Sequence, residues 1–436
     1  MKRILVIILL GIGICTAGWS RTGSAEDLNQ IYKKGIKAHQ DKDYATFLQC
    51  FEKLDKLLPN HPVIMYNLAG AYSLNNKKNE AIRCLKKLIV IDANPKITSD
   101  NDFNFIRESE EFKHILKQVE SLNKPISTSE VAFTIKKRDL HPESIAYDPM
   151  KKTFYLSSVH KRKIVYIDRD GSVKDFTTPA QDGLDAVLGI RIDAQNRVLW
   201  AASSAFPQMT GYNEKQDKGR TAVFKYHLDT KKLIKKYVLH EEPDQNHGFD
   251  DVVIHPNGDV YISDTRQIYR IPVKSSQLES FLQYNEFLSM QGLDFCDNGK
   301  KMLAADWVKG LYLIDIDQKK VLTKVGHPEN ISLIGIDGLY YLKDSNSLIA
   351  IQNGINPLRV VQFYLSSDFS KVVDYKIIER ANPAFNEPTL GVVVNRKEFY
   401  YIGNSQWKGY TKDFKILPFD KLQDIVIFKT AIKPLK

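Results

Sequence analysis

The sequence predicts a mainly β chain with an α-helical N-terminal domain, the β part closing into a six-bladed β-propeller. Three observations carry that expectation. Composition shifts near residue 125, from apolar residues at helical spacing to short β-branched and aromatic runs. Beyond about Val131 helical patterns are almost absent, and Asp/Asn/Gly turns separate runs such as Thr153–Leu156, Val198–Ala201, Val223–His227 and Leu311–Ile314. One strand–turn–strand template then recurs six times at the spacing of propeller blades. With 436 residues, 43% apolar and 26% charged, the composition is that of a globular chain, which excludes disordered, collagen-like and multi-span membrane classes.

The expected domains are a signal peptide over 1–25, a helical domain over 26–124 and the propeller over 125–436. Lys2 and Arg3 precede an apolar or small stretch from Ile4 to Gly18, too short to span a bilayer comfortably. Cleavage after Ala17 or after Ala25 satisfies the small-residue rule. Ile14 is too bulky before Cys15 for lipoprotein processing, so a lipid anchor is the less favoured outcome. Export to the periplasm or the extracellular space follows, with no transmembrane span in the mature chain. Losing Lys2, Arg3 and Arg21, and no acid, takes the net charge from +10 to +7. No basic run interleaved with aromatics points to nucleic acid.

In the helical segment, Ile31, Gly35 and Ala38 begin one helix, and Tyr44 to Leu57 continue a second ended by Pro59. Met65, Leu68, Ala69 and Tyr72 give a third; Ala81, Cys84, Leu85 and Leu88 give a fourth, ended near Pro95. Asp43-Tyr44-Ala45 and Asn79-Glu80-Ala81 open the second helix of each pair, 36 residues apart. That pattern resembles tetratricopeptide (TPR) repeats, with Phe103, Phe105, Ile106, Phe112 and Ile115 supplying capping helices. Two roles are open, a groove for a protein partner or a packed prefix that braces the next domain. Cys50 and Cys84 sit on helices of one small region; a disulfide is conceivable in an oxidising compartment, and two buried thiols are the simpler expectation.

The six template copies begin at Glu143, Leu188, Asp250, Gln291, Asp337 and Thr389, which are 45, 62, 41, 46 and 52 residues apart. Each opens an apolar strand, as in Glu143–Tyr147 or Asp337–Tyr341, followed by a turn and a second apolar strand. The long step holds Pro207–Lys218, a polar stretch that reads as a surface insertion. Innermost strands line a propeller's channel, so these six heads converge there. Three are acids and five offer oxygen. Converging carboxylates repel unless a cation lies between them, and oxygen donors without His or Cys favour Ca²⁺ over Zn²⁺. The plainer alternative is that the acids merely begin strands at solvated loop ends.

The heads His141-Pro142-Glu143, Gly248-Phe249-Asp250-Asp251, Gln291-Gly292-Leu293 and Ile336-Asp337-Gly338-Leu339 resemble those of the gluconolactonase, senescence-marker-protein and luciferin-regenerating-enzyme family of six-bladed propellers. The resemblance covers about residues 135–425. It implies a divalent cation held by Glu143, Gln291 and Asp337, with Asp250 facing the substrate. Gln291 stands where the family has an Asn ligand, and Asp250 where it has a neutral amide. The implied chemistry is metal-assisted opening of a lactone or small ester, with Asp337 or Asp250 taking the proton from water. His141 and His247, beside two heads, are further candidates to contact substrate. No Gly-x-Ser-x-Gly elbow or nucleotide-binding glycine loop is present. The alternative function is a non-catalytic exported binding or scaffold protein using the propeller mouth and the helical groove.

Overall fold

A computed structural model describes residues 25–239 and 247–432. The expected leader falls almost wholly on residues 1–24, outside the described residues. The chain divides into two compact units: one runs to Lys124 and takes in 328–332 and 355–357, and the other holds the rest.

The first unit contains α1 (Ala25–Gln40), α2 (Tyr44–Leu57), α3 (Pro62–Leu74), α4 (Lys78–Ile89) and α5 (Glu110–Asn123). Each of the first four packs on the next, burying Phe47, Phe51, Leu54, Leu68 and Ala71. Gly35 permits the close approach of α1 to α2, since a Cβ there would lie 2.9 Å from the Phe51 ring. The Asp43 carboxylate caps α2 by accepting from the Thr46 amide at 3.0 Å. Both hairpins turn the same way, with left-handed Lys42 and Asn76 and the Asp43 and Lys77 amides donating to the Ala38 and Tyr72 carbonyls. The structural offset is therefore 34 residues: Lys77, without a side-chain cap, stands where Asp43 does, and Asn79 falls inside α4. Only α5, capped by Ser109, is a full helix in the capping segment; two 3₁₀ turns precede it, and Phe105 is 55% exposed instead of packed. Cys50 and Cys84 are free thiols, and the Cys84 Sγ donates to the Met65 carbonyl. No described helix is long and apolar enough to cross a membrane.

The second unit is a six-bladed β-propeller. Its inner strands are Ile145–Asp148, Ala186–Asp193, Val252–Ile254, Met290–Cys296, Ile336–Leu342 and Gly391–Val394, each the first strand of an antiparallel sheet. Successive inner strands touch one another, and the last touches the first, so the ring is closed. Glu130–Ile135 joins the sixth sheet beside Ile425–Ala431, so residues from before the first blade complete the last one. Closure of this kind leaves the inner sheet edges short and turned into the channel. Ile126–Ser127 adds a fifth, outermost strand to blade 5. Cores between neighbouring blades are apolar and aromatic, such as Phe224, Tyr226, Leu199 and Ile190 between blades 1 and 2.

Repetition extends to the polar residues. In blades 1 to 5 the second strand ends at a polar side chain that fastens a loop leading into a channel strand, whereas in blade 6 it ends at Ile402. Asp264 accepts from the Gly248 amide at 2.7 Å, Asp306 from Leu288 and Ser289, and Gln352 donates to the Ile334 carbonyl. With Ser158 donating to the Leu140 carbonyl, these contacts hold the heads of blades 1, 3, 4 and 5 at one mouth of the channel.

Candidate functional site

Glu143, Asp250 and Asp337 come from blades 1, 3 and 5, alternate members of the ring. One carboxylate oxygen from each lies within 4.8 Å of the other two; Glu143 and Asp337 are buried and Asp250 is partly exposed. Backbone contacts set these positions. The Gly189 amide donates to the Asp250 carbonyl at 2.7 Å, and a Cβ at Gly189 would stand 2.3 Å from that oxygen. Gly292 plays the same part for blade 5, with a Cβ position 2.4 Å from the Asp337 carbonyl oxygen. A side chain at either place would push the neighbouring head away. The Ser157 hydroxyl accepts from the Glu143 and Ser144 amides, and Thr389 donates to the Glu143 carbonyl at 2.9 Å. Ladder irregularities at the heads of blades 2, 4 and 5 turn those residues inward.

Burial raises the carboxyl pKa values of all three acids. Glu143 lies well above the usual range through loss of water and the charges of Asp337 and Asp250, with the Trp407 indole working the other way. Asp337 is raised well above it by burial, Asp250 and Glu387, opposed by Asn353. Asp250 is pushed up to about 7 by burial and by Asp251, against a hydrogen bond from Gln291. Three acids so placed cannot all ionise at neutral pH without a counter-charge.

Residues outside the repeated template hold the triad. The Trp407 Nε1 donates to Glu143 Oε2 at 2.7 Å, from loop 403–424 of blade 6. The Asn353 Nδ2 donates to Asp337 Oδ2 at 2.5 Å, and Trp307 Nε1 donates to Asn353 Oδ1 at 3.0 Å. Glu387, two residues before Thr389, adds a fourth negative charge felt by Glu143 and Asp337. Burial pushes its carboxyl up to about 7 despite the Lys408 ammonium. Tryptophan and asparagine in loops carry no repeat signal, so Trp407, Trp307 and Asn353 are legible only in three dimensions.

The other expected site residues lie around this centre. Gln291, the head of blade 4, donates from Nε2 to Ser289 Oγ at 3.2 Å and also bonds Asp250. His247 bonds Asp264 through Nδ1 at 2.6 Å. His141 is fully buried, with Nδ1 2.7 Å from the Tyr410 hydroxyl and its ring edge-to-face with Trp407. Thr389 is spent on the Glu143 carbonyl, and Leu188 is 3% exposed in an apolar cluster.

A second channel layer lies three residues beyond the heads. Arg191 donates to the Val252 carbonyl at 2.8 Å, approaches Asp251 at 3.5 Å and stacks over the Tyr340 ring. Burial opposes its charge, but Asp251 and Tyr340 hold its pKa above the ordinary value. Asp294 in the same layer is pushed up to about 6 by burial. This cation answers Asp251 and Asp294, leaving the triad with its own excess of negative charge.

No protein-family model matches the chain, and neither does any curated protein. Solved structures do match. A gluconolactonase from Xanthomonas campestris is 11% identical, with a TM-score of 0.43 over 67% of this chain and 86% of its own. A luciferin-regenerating enzyme is 12% identical, with a TM-score of 0.46 over 71% and 96%. Virginiamycin B lyase from Staphylococcus aureus is 13% identical, with a TM-score of 0.46 over 69% and 98%. The solved neighbours include gluconolactonase-type propellers. Their names belong to them; the six-bladed fold of this chain stands on its own strand pairing.

Proposed function

We propose that the propeller is a metal-dependent hydrolase that opens lactones or small esters at the Glu143–Asp250–Asp337 triad. One observation carries this: three carboxylates from alternate blades converge within 4.8 Å in a site that leaves them short of positive charge. The donor set is all oxygen, which suits a hard divalent cation, and we favour Ca²⁺. Glu143, Asp337 and Asp250 would hold it, and the amide of Gln291 bears on Asp250 from the side. When bound, such an ion supplies the positive charge that polarises a carbonyl.

The chain's own groups then have separate tasks. Trp407 and Asn353 fix one oxygen each of Glu143 and Asp337, which keeps the triad's geometry from collapsing or spreading. Asp337 or Asp250 would take the proton from attacking water, and the charge of Glu387, felt by Glu143 and Asp337, adds to the pull on a cation. Asp250 replaces the neutral amide expected from the family resemblance. Its negative charge favours keeping a cation and opposes the carboxylate that lactone opening would produce beside it. That observation supports a second reading, a non-catalytic binding protein that keeps the ion as a structural or recognition element. In either reading we place the mature chain outside the cytoplasm on the strength of the leader. We also assign the TPR-like helices a protein-binding role as part of that proposal.

Hydrolysis of a panel of lactones and aryl esters, with Ca²⁺ and after chelation, tests the proposal. Wild type should turn over at least one of them only with the cation. Asp337→Ala should lose at least about 100-fold in rate while melting cooperatively. Cation binding without turnover of any panel member would leave the second reading standing, and absence of cation binding would remove both.

A further inference from the structure

The triad has an acidic side and an apolar side. Leu188, the head of blade 2, packs with Val159, Ala186 and Met209, and the partly buried Phe206, Tyr212 and Trp407 complete that cluster. Two long loops build it, 205–220 of blade 2 and 403–424 of blade 6, both leaving the mouth-side ends of second strands. The expected surface insertion is thus partly interior, with Met209 only 3% exposed. Trp407 belongs to both sides: its ring packs in the cluster while its indole nitrogen holds Glu143. Phe206 meets Trp407 edge-to-face at 6.4 Å, and its ring tip lies 3.6 Å from where a Cβ on Gly248 would be, in the loop leading to Asp250. The wall therefore runs beside the triad from Glu143 to Asp250.

We infer that Phe206 and Trp407, backed by the buried Leu188, form a specificity wall for the hydrocarbon part of a ligand whose oxygen sits at the triad. The preferred substrates are lactones or esters bearing an alkyl or aryl group, and polyhydroxylated lactones are disfavoured. This rests on the proposed use of the triad as the polar anchor. An alkyl chain on the wall loses only contact with water, which is favourable. Sugar hydroxyls there would lose their water hydrogen bonds and find no donors or acceptors on the Phe206 ring or the Trp407 ring face. Leu188 and Phe206 act by shape and polarity alone and are specificity residues, with no part in proton transfer.

The test uses the full chain with Ca²⁺, γ-nonalactone as the alkyl probe and glucono-δ-lactone as the polyhydroxylated one. Binding is read by tryptophan fluorescence and calorimetry, turnover by acid release. Wild type should bind γ-nonalactone at least about tenfold more tightly than glucono-δ-lactone, and Phe206→Ala should cut that ratio by about tenfold with Ca²⁺ binding and melting retained. Leu188→Asn should shift the ratio the same way; should it not fold, Phe206 on its loop still decides. Equal or tighter binding of glucono-δ-lactone, no binding of either probe, or a ratio unmoved by Phe206→Ala would overturn the wall. Selective binding of γ-nonalactone without turnover would support the wall and count against hydrolysis, whereas turnover of glucono-δ-lactone alone would do the reverse.

Discussion

Blades 1, 3 and 5 and blades 2, 4 and 6 share one backbone plan and present opposite chemistry to the channel. The first set places Glu143, Asp250 and Asp337 there; the second places Leu188, Gln291 and Thr389. Alternation in a closed six-membered ring puts three acids at the corners of a triangle, close enough to share one ion. The neutral heads serve the triangle. The backbone of blade 2 seats Asp250 through Gly189, that of blade 4 seats Asp337 through Gly292, and Thr389 holds the Glu143 carbonyl. One set supplies charge and the other supplies placement.

The largest expected effect is on the charge of the acidic set. The folded chain holds Asp250 protonated up to about 7, well above its ordinary value near 3.8, and Glu143 and Asp337 shift in the same direction. Between those pH values the folded state binds more protons than the unfolded one, so stability without cation falls as pH rises. Melting of the chelated protein should drop steadily from pH 5 to pH 8. Ca²⁺ at about a thousand times its Kd should restore about 4 kcal/mol at pH 8. A chelated protein whose stability rises over that range would show that the three acids do not share one low-dielectric space.

The placing set predicts a smaller change. Gly292→Ala forces a Cβ to 2.4 Å from one backbone oxygen and 2.8 Å from a backbone nitrogen, so it should cost about 2–3 kcal/mol in denaturant unfolding and at least about tenfold in Ca²⁺ affinity. At Gly338 the nearest backbone atom is 3.0 Å away, and Gly338→Ala should do measurably less. Equal effects would mean that the two glycines do not differ in placing a head.

The smallest effect separates two roles for Gln291. As a donor to Asp250 it favours the ionised form, so Gln291→Leu should weaken Ca²⁺ binding about threefold at pH 7, with the loss fading by pH 9. A loss above tenfold that persists at pH 9 would make Gln291 a ligand in its own right and move blade 4 into the acidic set.

The helical hairpins, the six-blade count and the channel position of the heads are legible in the sequence. Period 3.6, period 2 and a template repeated every 41–62 residues are local signals that survive folding unchanged. The likeness of Asp43-Tyr44-Ala45 to Asn79-Glu80-Ala81 misled by two residues, because the turn geometry at Lys42 recurs at Asn76, 34 residues on, whatever side chain follows it. Tertiary structure alone decided which heads meet, because their convergence depends on ring closure between residues as far apart as Glu143 and Thr389. It alone gave Trp407 and Asn353 their partners and carried Phe206 beside the acids. Those contacts form between loops that belong to no repeat, and chain spacing holds no record of them.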